Sequence, residues 1–381
     1  MENLILKKKF IELKIVTINS LTKNKFINVA LVGCGRISKK HIQSLSKLQH
    51  RANIVAICDS ESEKINQAKD LIDQLFDVKS NSREAKEFID YNFLIAEIKD
   101  KKLIVDLIIL ATPSGMHPKQ VVLAAKIGCH ICTEKPMATN WKDGLHMVNV
   151  SKENNVKLFV IKQNRFNKTL QLLKKQIQKG RFGKIALVSI NVFWHRPQEY
   201  YDKDNWRGTW EMDGGALMNQ ASHYVDLLHW LIGPVDSISA SIRTIGRNIE
   251  VEDTAALQIK WKNGALGTMA VTMLTFPKNL EGSIAILGEK GTVRIGGTAV
   301  NKIEYWDFED KTKDDENLKS VSYEIDQVYG YGHVPYFENV FDVLEGIDQP
   351  ICDGEEGLKS LELLIAAYKS ARESKIVKLP L

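Results

Sequence analysis

An α/β protein of two domains is what this 381-residue sequence predicts: a doubly wound parallel sheet, then an α+β domain with a large, mainly antiparallel open sheet. Three observations predict it. Strand and helix signals alternate regularly from Ile27 to about Gln163. Beyond that point several short strands follow one another at hairpin spacing. A Gly33-Cys34-Gly35 turn joins the first strand to the first helix. Regular alternation implies parallel strands covered on both faces, whereas runs of strands imply antiparallel pairing. The expected division is a basic extension at 1–26, a first domain at 27–163 and a second at 164–381.

The elements follow in order. Ile27–Val32 is apolar and β-rich, Arg36–Leu48 reads helical, and Asn53–Cys58 is a strand closed by Asp59 and followed by a charged helical stretch. Leu107–Ala111 is a continuous apolar run, as expected of a strand buried on both faces. His117–Ile127 is helical, Cys129–Thr133 a strand, Asn140–Glu153 helical and Val156–Ile161 a strand. A helix at Thr169–Gln178 then leads past Gly183 to a strand-like run ending at Trp194, a polar and aromatic loop, and a helix from Gly215 to Ile232. Strands are expected at Ile238–Ile245, Thr254–Trp261, Ala265–Leu274, Ser283–Leu287 and Thr292–Ile295, with turns at Asn263-Gly264 and Glu289-Lys290-Gly291. Helices at about Tyr336–Leu344 and Glu355–Ser374 close the chain.

Charge and cysteine usage narrow the function classes. The net charge is +5, but residues 1–26 carry six lysines against Glu2 and Glu12, so the body is nearly neutral. A nucleic-acid binder would want a sustained basic face, and none is expected here. No apolar run reaches the eighteen or so residues a membrane span needs, and the charge-broken leading segment does not read as a signal peptide. The five cysteines have no framework spacing, which fits a reducing cytoplasm. Cys129-His130-Ile131-Cys132 spells C-x-x-C, but on a strand positions three apart face opposite ways, so two packed cysteines are expected and no metal.

The glycine turn is the first functional signal. Its first glycine permits a tight turn, its second lets the backbone approach a pyrophosphate, and the helix start (Arg36, Ile37) offers N–H groups to the anion. Ser38 stands where a third glycine is usual, and its small side chain still permits close packing. Asp59 ends the second strand 24 residues beyond Gly35, where a carboxylate meets adenine-ribose hydroxyls and repels a 2′-phosphate. NAD is therefore the expected cofactor. Thr112-Pro113-Ser114 closes the Leu107–Ala111 strand on the same edge, and the expected cofactor set is completed by Cys34, His117, Glu134, Lys135, Gln163 and Trp206.

The second signal is Glu134-Lys135-Pro136 at the end of the next strand, which aims an amine at the nicotinamide edge. The cofactor's positive charge and desolvation would lower the lysine pKa. In Gly214-Gly215 through His223, Asn219 and His223 are four apart and are expected on one helical face, with the glycines opening an approach for substrate. His223 near its ordinary pKa would suit a general base. The roles could also be reversed, with Lys135 as the base.

At these residues the chain resembles the Gfo/Idh/MocA oxidoreductase family, over nearly everything after Ile27. The resemblance implies that Lys135 and His223 are catalytic. Many members have Asp where this chain has Asn219. A narrower similarity is carried by Phe193-Trp194-His195-Arg196-Pro197-Gln198-Glu199-Tyr200-Tyr201, Asn205-Trp206-Arg207-Gly208-Thr209-Trp210, Met218 to His223, and Val328-Tyr329-Gly330-Tyr331-Gly332-His333. These stretches resemble the family's UDP-N-acetyl-2-amino-2-deoxyglucuronate dehydrogenases, the WlbA/WbpB group. That resemblance implies NAD-dependent oxidation of the 3-hydroxyl of UDP-N-acetylglucosaminuronic acid, with the 3-keto product feeding an aminotransferase in surface-polysaccharide synthesis. A uronate and a diphosphate are anions, and Arg165, His195, Arg196 and Arg207 cluster around the expected site. With Lys135, Tyr201, Asn219 and His223, the three arginines make the expected substrate set.

Competing readings are an inositol or simple sugar dehydrogenase, an NAD-dependent glycosidase, and a non-catalytic sensor. The first would not need so many cations, and the last would not need both Lys135 and His223. A homo-oligomer, dimer or tetramer, is expected from the open sheet.

Overall fold

The computed structural model describes residues 26–76, 84–316, 318–325 and 328–381. Its first sheet has six parallel strands in the order β3-β2-β1-β4-β5-β6: β1 Ile27–Val32, β2 Ala52–Cys58, β3 Lys86–Phe88, β4 Leu107–Leu110, β5 His130–Thr133 and β6 Leu158–Val160. Both faces are buried. Ala30 and Val32 enter one apolar cluster, while Val29 and Leu31 enter another on the opposite side. The strand order reverses between β1 and β4, and a crevice opens at that point beyond the strands' carboxyl ends. Hydrogen bonds from Gly33 N to Cys58 O, Ala111 N to Val32 O and Glu134 N to Leu110 O align those ends. The register thereby brings the glycine turn, Asp59, Thr112 and Lys135 to one edge.

The face bearing Val29 and Leu31 is completed from far along the chain. The helix His333–Leu344 lays Tyr336, Phe337, Val340 and Phe341 into that cluster, and Arg51 bonds Asp342 and Glu345 at 2.7 and 2.8 Å. The cofactor domain expected to end at residue 163 thus draws on a helix from the second half of the chain.

The second sheet has eight strands in the order β13-β12-β11-β7-β10-β9-β8-β14: β7 Ile185–Phe193, β8 Val235–Arg243, β9 Thr254–Trp261, β10 Leu266–Thr272, β11 Glu281–Gly288, β12 Gly291–Gly296, β13 Lys302–Phe308 and β14 Val377–Lys378. All its pairings are antiparallel except β7 with β10. β9 alternates strictly between buried and exposed residues, as a sheet with one covered face requires. The helix Gly354–Glu373 lies against β8, β6 and the helix Trp141–Glu153, and so bridges the two sheets.

Three strands and three helices went unanticipated, among them the short helices Gln198–Asp202 and Leu318–Val321. β3 and β14 have three and two residues, too few to show a period, and β13 alternates poorly. The helix Tyr91–Lys99 starts at Asp90, whose carboxylate accepts the Asn92 N–H. The C-x-x-C sulfurs divide as expected, Cys129 to one core cluster and Cys132 to the other, and all five thiols are free and buried. The basic extension expected at 1–26 falls, apart from Phe26, outside the described residues.

Candidate active site

Gly33 has φ +92, and a Cβ there would meet the Ala111 carbonyl at 2.6 Å, so only glycine fits. A Cβ on Gly35 would meet nothing within 4 Å, which leaves open space beside the backbone. The helix Ser38–Ser46 begins there with no side-chain cap; its Ser38 and Lys40 N–H groups donate to Gly35 O and Ile37 O, so the N–H groups offered to an anion are those of the turn itself, at Arg36 and Ile37. Ser38 donates to Gly35 O and is buried, as its place in the turn requires. Asp59 accepts the Cys34 and Glu61 N–H groups at 2.7 and 3.0 Å. That fixes the carboxylate at the strand end, and each oxygen keeps a lone pair for a ribose hydroxyl. This cradle fits NAD.

Thr112 donates to Gln120 Oε1 at 2.6 Å, and after Pro113 and Ser114 the Gly115 N–H reaches Met212 O across to the second domain. His117 is a different matter. Its ring nitrogens lie 3.1 Å from Pro136 O and 3.0 Å from Thr112 O, and the ring is fully buried. It ties two turns of the edge together and has no nitrogen left for the cofactor expected there.

Glu134 is buried. Its carboxylate accepts the Lys135 N–H at 3.1 Å and lies 2.9 Å from His41 Nε2. Burial alone would raise its pKa, but His41, Lys135 and His333 together hold it at about 2. Lys135 then reaches across the crevice, donating to Asn219 O at 3.1 Å and Asn219 Oδ1 at 3.4 Å. Burial, with Arg196 and Arg207 nearby, lowers the amine's pKa against the pull of Glu134 and Asp213.

His223 departs from expectation. Burial first, then Lys135, Lys162 and His333, push its pKa well below the ordinary histidine value, so it is a neutral ring. Its Nε2 lies 3.0 Å from Gln163 Nε2 and its Nδ1 has no partner. Gln163, expected at the cofactor, is thus engaged with the histidine. Asn219 is not on the helix with His223, because the α-helix spans only Ser222–Leu227 and continues as a wider π-turn to Ile232. The preceding segment is held from outside: Leu217 N–H donates to Glu252 Oε1 at 2.8 Å, and Gly215 and Met218 N–H to Tyr368 Oη. A Cβ on Gly215 would strike Glu252 Oε2 at 1.8 Å. That glycine makes room for a buried carboxyl rather than for substrate.

The four cationic side chains expected at the substrate separate. Arg165 is 1% exposed and spends its guanidinium internally, on Asp226 at 2.7 and 2.8 Å, Glu356 at 2.8 Å and Ile351 O. Four of its five N–H donors are spent inside the protein and the side chain is buried, so it serves internal carboxylates rather than a ligand anion. His195 is committed in part: ring Nδ1 lies 2.6 Å from Thr275 O and the backbone N–H donates to Asn279 Oδ1, while ring Nε2 has no partner among the described residues. Arg196 is half-buried, bonds only His195 O and Asn279 Oδ1, and has no carboxylate at ion-pair distance among the described residues. Arg207 pairs with Asp204 at 2.7 Å, donates to Tyr200 Oη at 2.9 Å and stacks on Trp206 at 4.3 Å. Arg36, Arg196 and Arg207 all lie over the Tyr200 ring, at 5.0, 5.5 and 4.7 Å. Tyr201, the expected contact, is buried edge-on against Tyr200.

Sequence reasoning missed Tyr200, Asp213 and Glu252. Tyr200 sits in the stretch that carries the narrower resemblance, but nothing local tells which of two adjacent tyrosines faces the cations. Asp213 before two glycines reads as a turn residue, and Glu252 acts from 35 residues away in sequence.

Comparison with known proteins agrees with this geometry. Residues 27–162 match the oxidoreductase family's NAD-binding Rossmann fold, and residues 174–379 its C-terminal alpha/beta domain. The chain is 50% identical to the WlbA dehydrogenase of Bordetella pertussis, solved in complex with NADH and UDP-GlcNAcA, over 94% of this chain and 99% of that one, with TM-score 0.87. It is 51% identical to the WlbA dehydrogenase of Chromobacterium violaceum, solved with the same two molecules, over 94% and 97%, with TM-score 0.86. A more distant relative, myo-inositol 2-dehydrogenase of Thermotoga maritima, is 23% identical over 93% of this chain and 98% of its own. The chain belongs to the Gfo/Idh/MocA oxidoreductase family.

Proposed function

We propose that the protein oxidises the 3-hydroxyl of UDP-N-acetylglucosaminuronic acid to the 3-keto sugar with NAD. Half-identity over nearly the whole chain to two dehydrogenases that hold NADH and UDP-GlcNAcA carries the reading. The site's chemistry supports it. Arg196 offers an unneutralised guanidinium whose fork suits a carboxylate or phosphate, and Arg207 and Arg36 widen the positive region around Tyr200. A neutral polyol would leave that charge without a partner.

NAD, when bound, supplies the hydride acceptor. The protein's share is to orient the sugar and move the hydroxyl proton. Lys135, whose pKa is lowered, is the amine best placed to take that proton as the hydroxyl is oxidised. His223, neutral and with Nδ1 unpartnered, hydrogen-bonds the same hydroxyl rather than serving as the base. Asn219 holds the amine in place. The 3-keto product suits a following aminotransferase in surface-polysaccharide synthesis. Five free, buried thiols suit a reducing cytoplasm, and no described helix is long and apolar enough to cross a membrane.

The open sheet face supports a homo-oligomer, a dimer or tetramer. Leu187 of β7 pairs with Leu266 of β10 and Leu287 of β11, a row of leucines 41%, 51% and 38% exposed.

Incubation with UDP-N-acetylglucosaminuronate and NAD tests the activity. NADH absorbance should rise and an intact nucleotide sugar about two mass units lighter should form, having lost a proton and a hydride. Release of a hydrolysed sugar, or faster turnover of free inositol, would overturn it.

A further inference from the structure

We propose that Asp213 is a positioning residue that fixes which end of the Asn219 amide faces Lys135. The proposal rests on the reading of Lys135 as the group that handles the substrate proton. Asp213 is 1% exposed. One carboxylate oxygen accepts the Gly208 N–H at 2.7 Å and the other accepts Asn219 Nδ2. An ionised carboxylate only accepts hydrogen bonds, whereas an amide has a donor end and an acceptor end. With its NH2 held by Asp213, Asn219 must present Oδ1 to its other neighbour, Lys135 Nζ. Turned the other way, the amide would set its own NH2 against the amine and leave Asp213 facing an acceptor.

The same carboxylate acts on Lys135 through space. Four charged groups surround the amine: Glu134 on its own strand end and Asp213 raise its pKa, while Arg196 and Arg207 lower it. His223, also close, is neutral. Burial raises the Asp213 carboxyl to about 6, against the Gly208 N–H, Arg207, Asn219 and Lys135, so above that pH it carries the charge. Asn219 offers Lys135 an amide rather than a carboxylate as its neighbour. Here the carboxylate sits one hydrogen bond further back and acts through the amide.

The test is a set of three variants with two readouts. In Asp213→Asn the new amide can donate to Asn219 and allow it to turn. The variant should lose roughly tenfold in kcat, less than the ~100-fold or more that loss of the proton acceptor itself costs, with KM for NAD unchanged. The acid limb of its pH–rate profile should move to lower pH. Asn219→Asp alone sets two carboxylates together and should also be impaired. The double variant Asp213→Asn/Asn219→Asp restores an acceptor facing Lys135, donated to from behind, and should exceed both single variants in kcat. The second readout needs no substrate. In protein whose lysines are reductively 13C-methylated, the Lys135 resonance, assigned by its loss in Lys135→Arg, should titrate at lower pH in Asp213→Asn. A double variant no better than Asn219→Asp overturns the proposal even if Asp213→Asn does not fold, and so does an unshifted Lys135 titration. Failure of the wild-type enzyme to oxidise the uronate would instead remove the functional reading, which the lysine titration does not depend on.

Discussion

Arg165 and Arg196 stand 31 positions apart and were expected to do the same work, yet their surroundings separate them. Arg165 lies in a buried network with Asp226 and Glu356, four of its five N–H groups taken by carboxylates or a carbonyl. Arg196 rests on the Trp194 and Tyr200 rings with only neutral oxygens for partners. A buried charge with its counter-ion inside the protein serves the fold. One without a counter-ion has to find it in a ligand, because leaving it unpaired costs free energy on every turn of the enzyme.

That contrast can be broken by experiment, starting with the largest effect. Arg165→Met should strand Asp226 beside Lys162, which stays 3.7 Å away, and cost about 3–5 kcal/mol of unfolding free energy in denaturant titration. A stability loss below about 1 kcal/mol, with a large rise in KM for the sugar, would mean the two arginines had been assigned the wrong way round. Arg196→Met should unfold like the wild type. Its kcat/KM for the uronate should fall by the equivalent of about 2–5 kcal/mol, the range seen when one partner of a desolvated charge pair is truncated.

Glu252 extends the comparison to anions. Buried with no cation at ion-pair distance among the described residues, its carboxyl is pushed up to about 7. A folded-state pKa above the unfolded value means that this group's contribution to stability is fullest below pH 4 and declines as pH rises from about 4 to 7. Both of its bonds, from Leu217 N–H and Tyr368 Oη, go to Oε1, which glutamine keeps, while Oε2 has no partner. Glu252→Gln should therefore be more stable than the wild type at pH 8, by up to about 3 kcal/mol at ~1.4 kcal/mol per pKa unit, and the gain should vanish near pH 4. Thermal melts across that range will check both the sign and the window. The smallest effect concerns the cofactor edge. Asp59→Ala should narrow the preference for NAD over NADP by about 1–2 kcal/mol, the size of a single like-charge interaction. Equal affinity of the unaltered protein for the two cofactors would remove that assignment.

The two edges of the crevice were unequally legible in the sequence. The cofactor edge is built from backbone: a positive-φ glycine, an uncapped helix start and strand ends in parallel register. Glycine spacing and strand periodicity report such features directly. The substrate edge is built from side chains that meet across long separations, such as Lys135 with Asn219, 84 residues apart, and Gln163 with His223, 60 apart. Local pattern could place Arg165, Arg196 and Arg207 near the site, but the partner that decides a charge's role lies elsewhere in the chain. For Arg165 that partner is Asp226, 61 residues on. The segment before His223 failed for a related reason. Its apolar spacing is helical, yet Ala221 N–H reaches Ala216 O, five residues back, and Lys135 Nζ takes the Asn219 carbonyl, so no regular helical ladder runs through to His223.

The most direct measurement compares kcat/KM for UDP-N-acetylglucosaminuronate with that for UDP-N-acetylglucosamine, in the wild type and in Arg196→Met. The account predicts a strong preference for the uronate in the wild type and its collapse in the variant, through loss of the acid substrate rather than gain of the neutral one. Equal turnover of the two sugars by the wild type, or an undiminished preference in Arg196→Met, would contradict it.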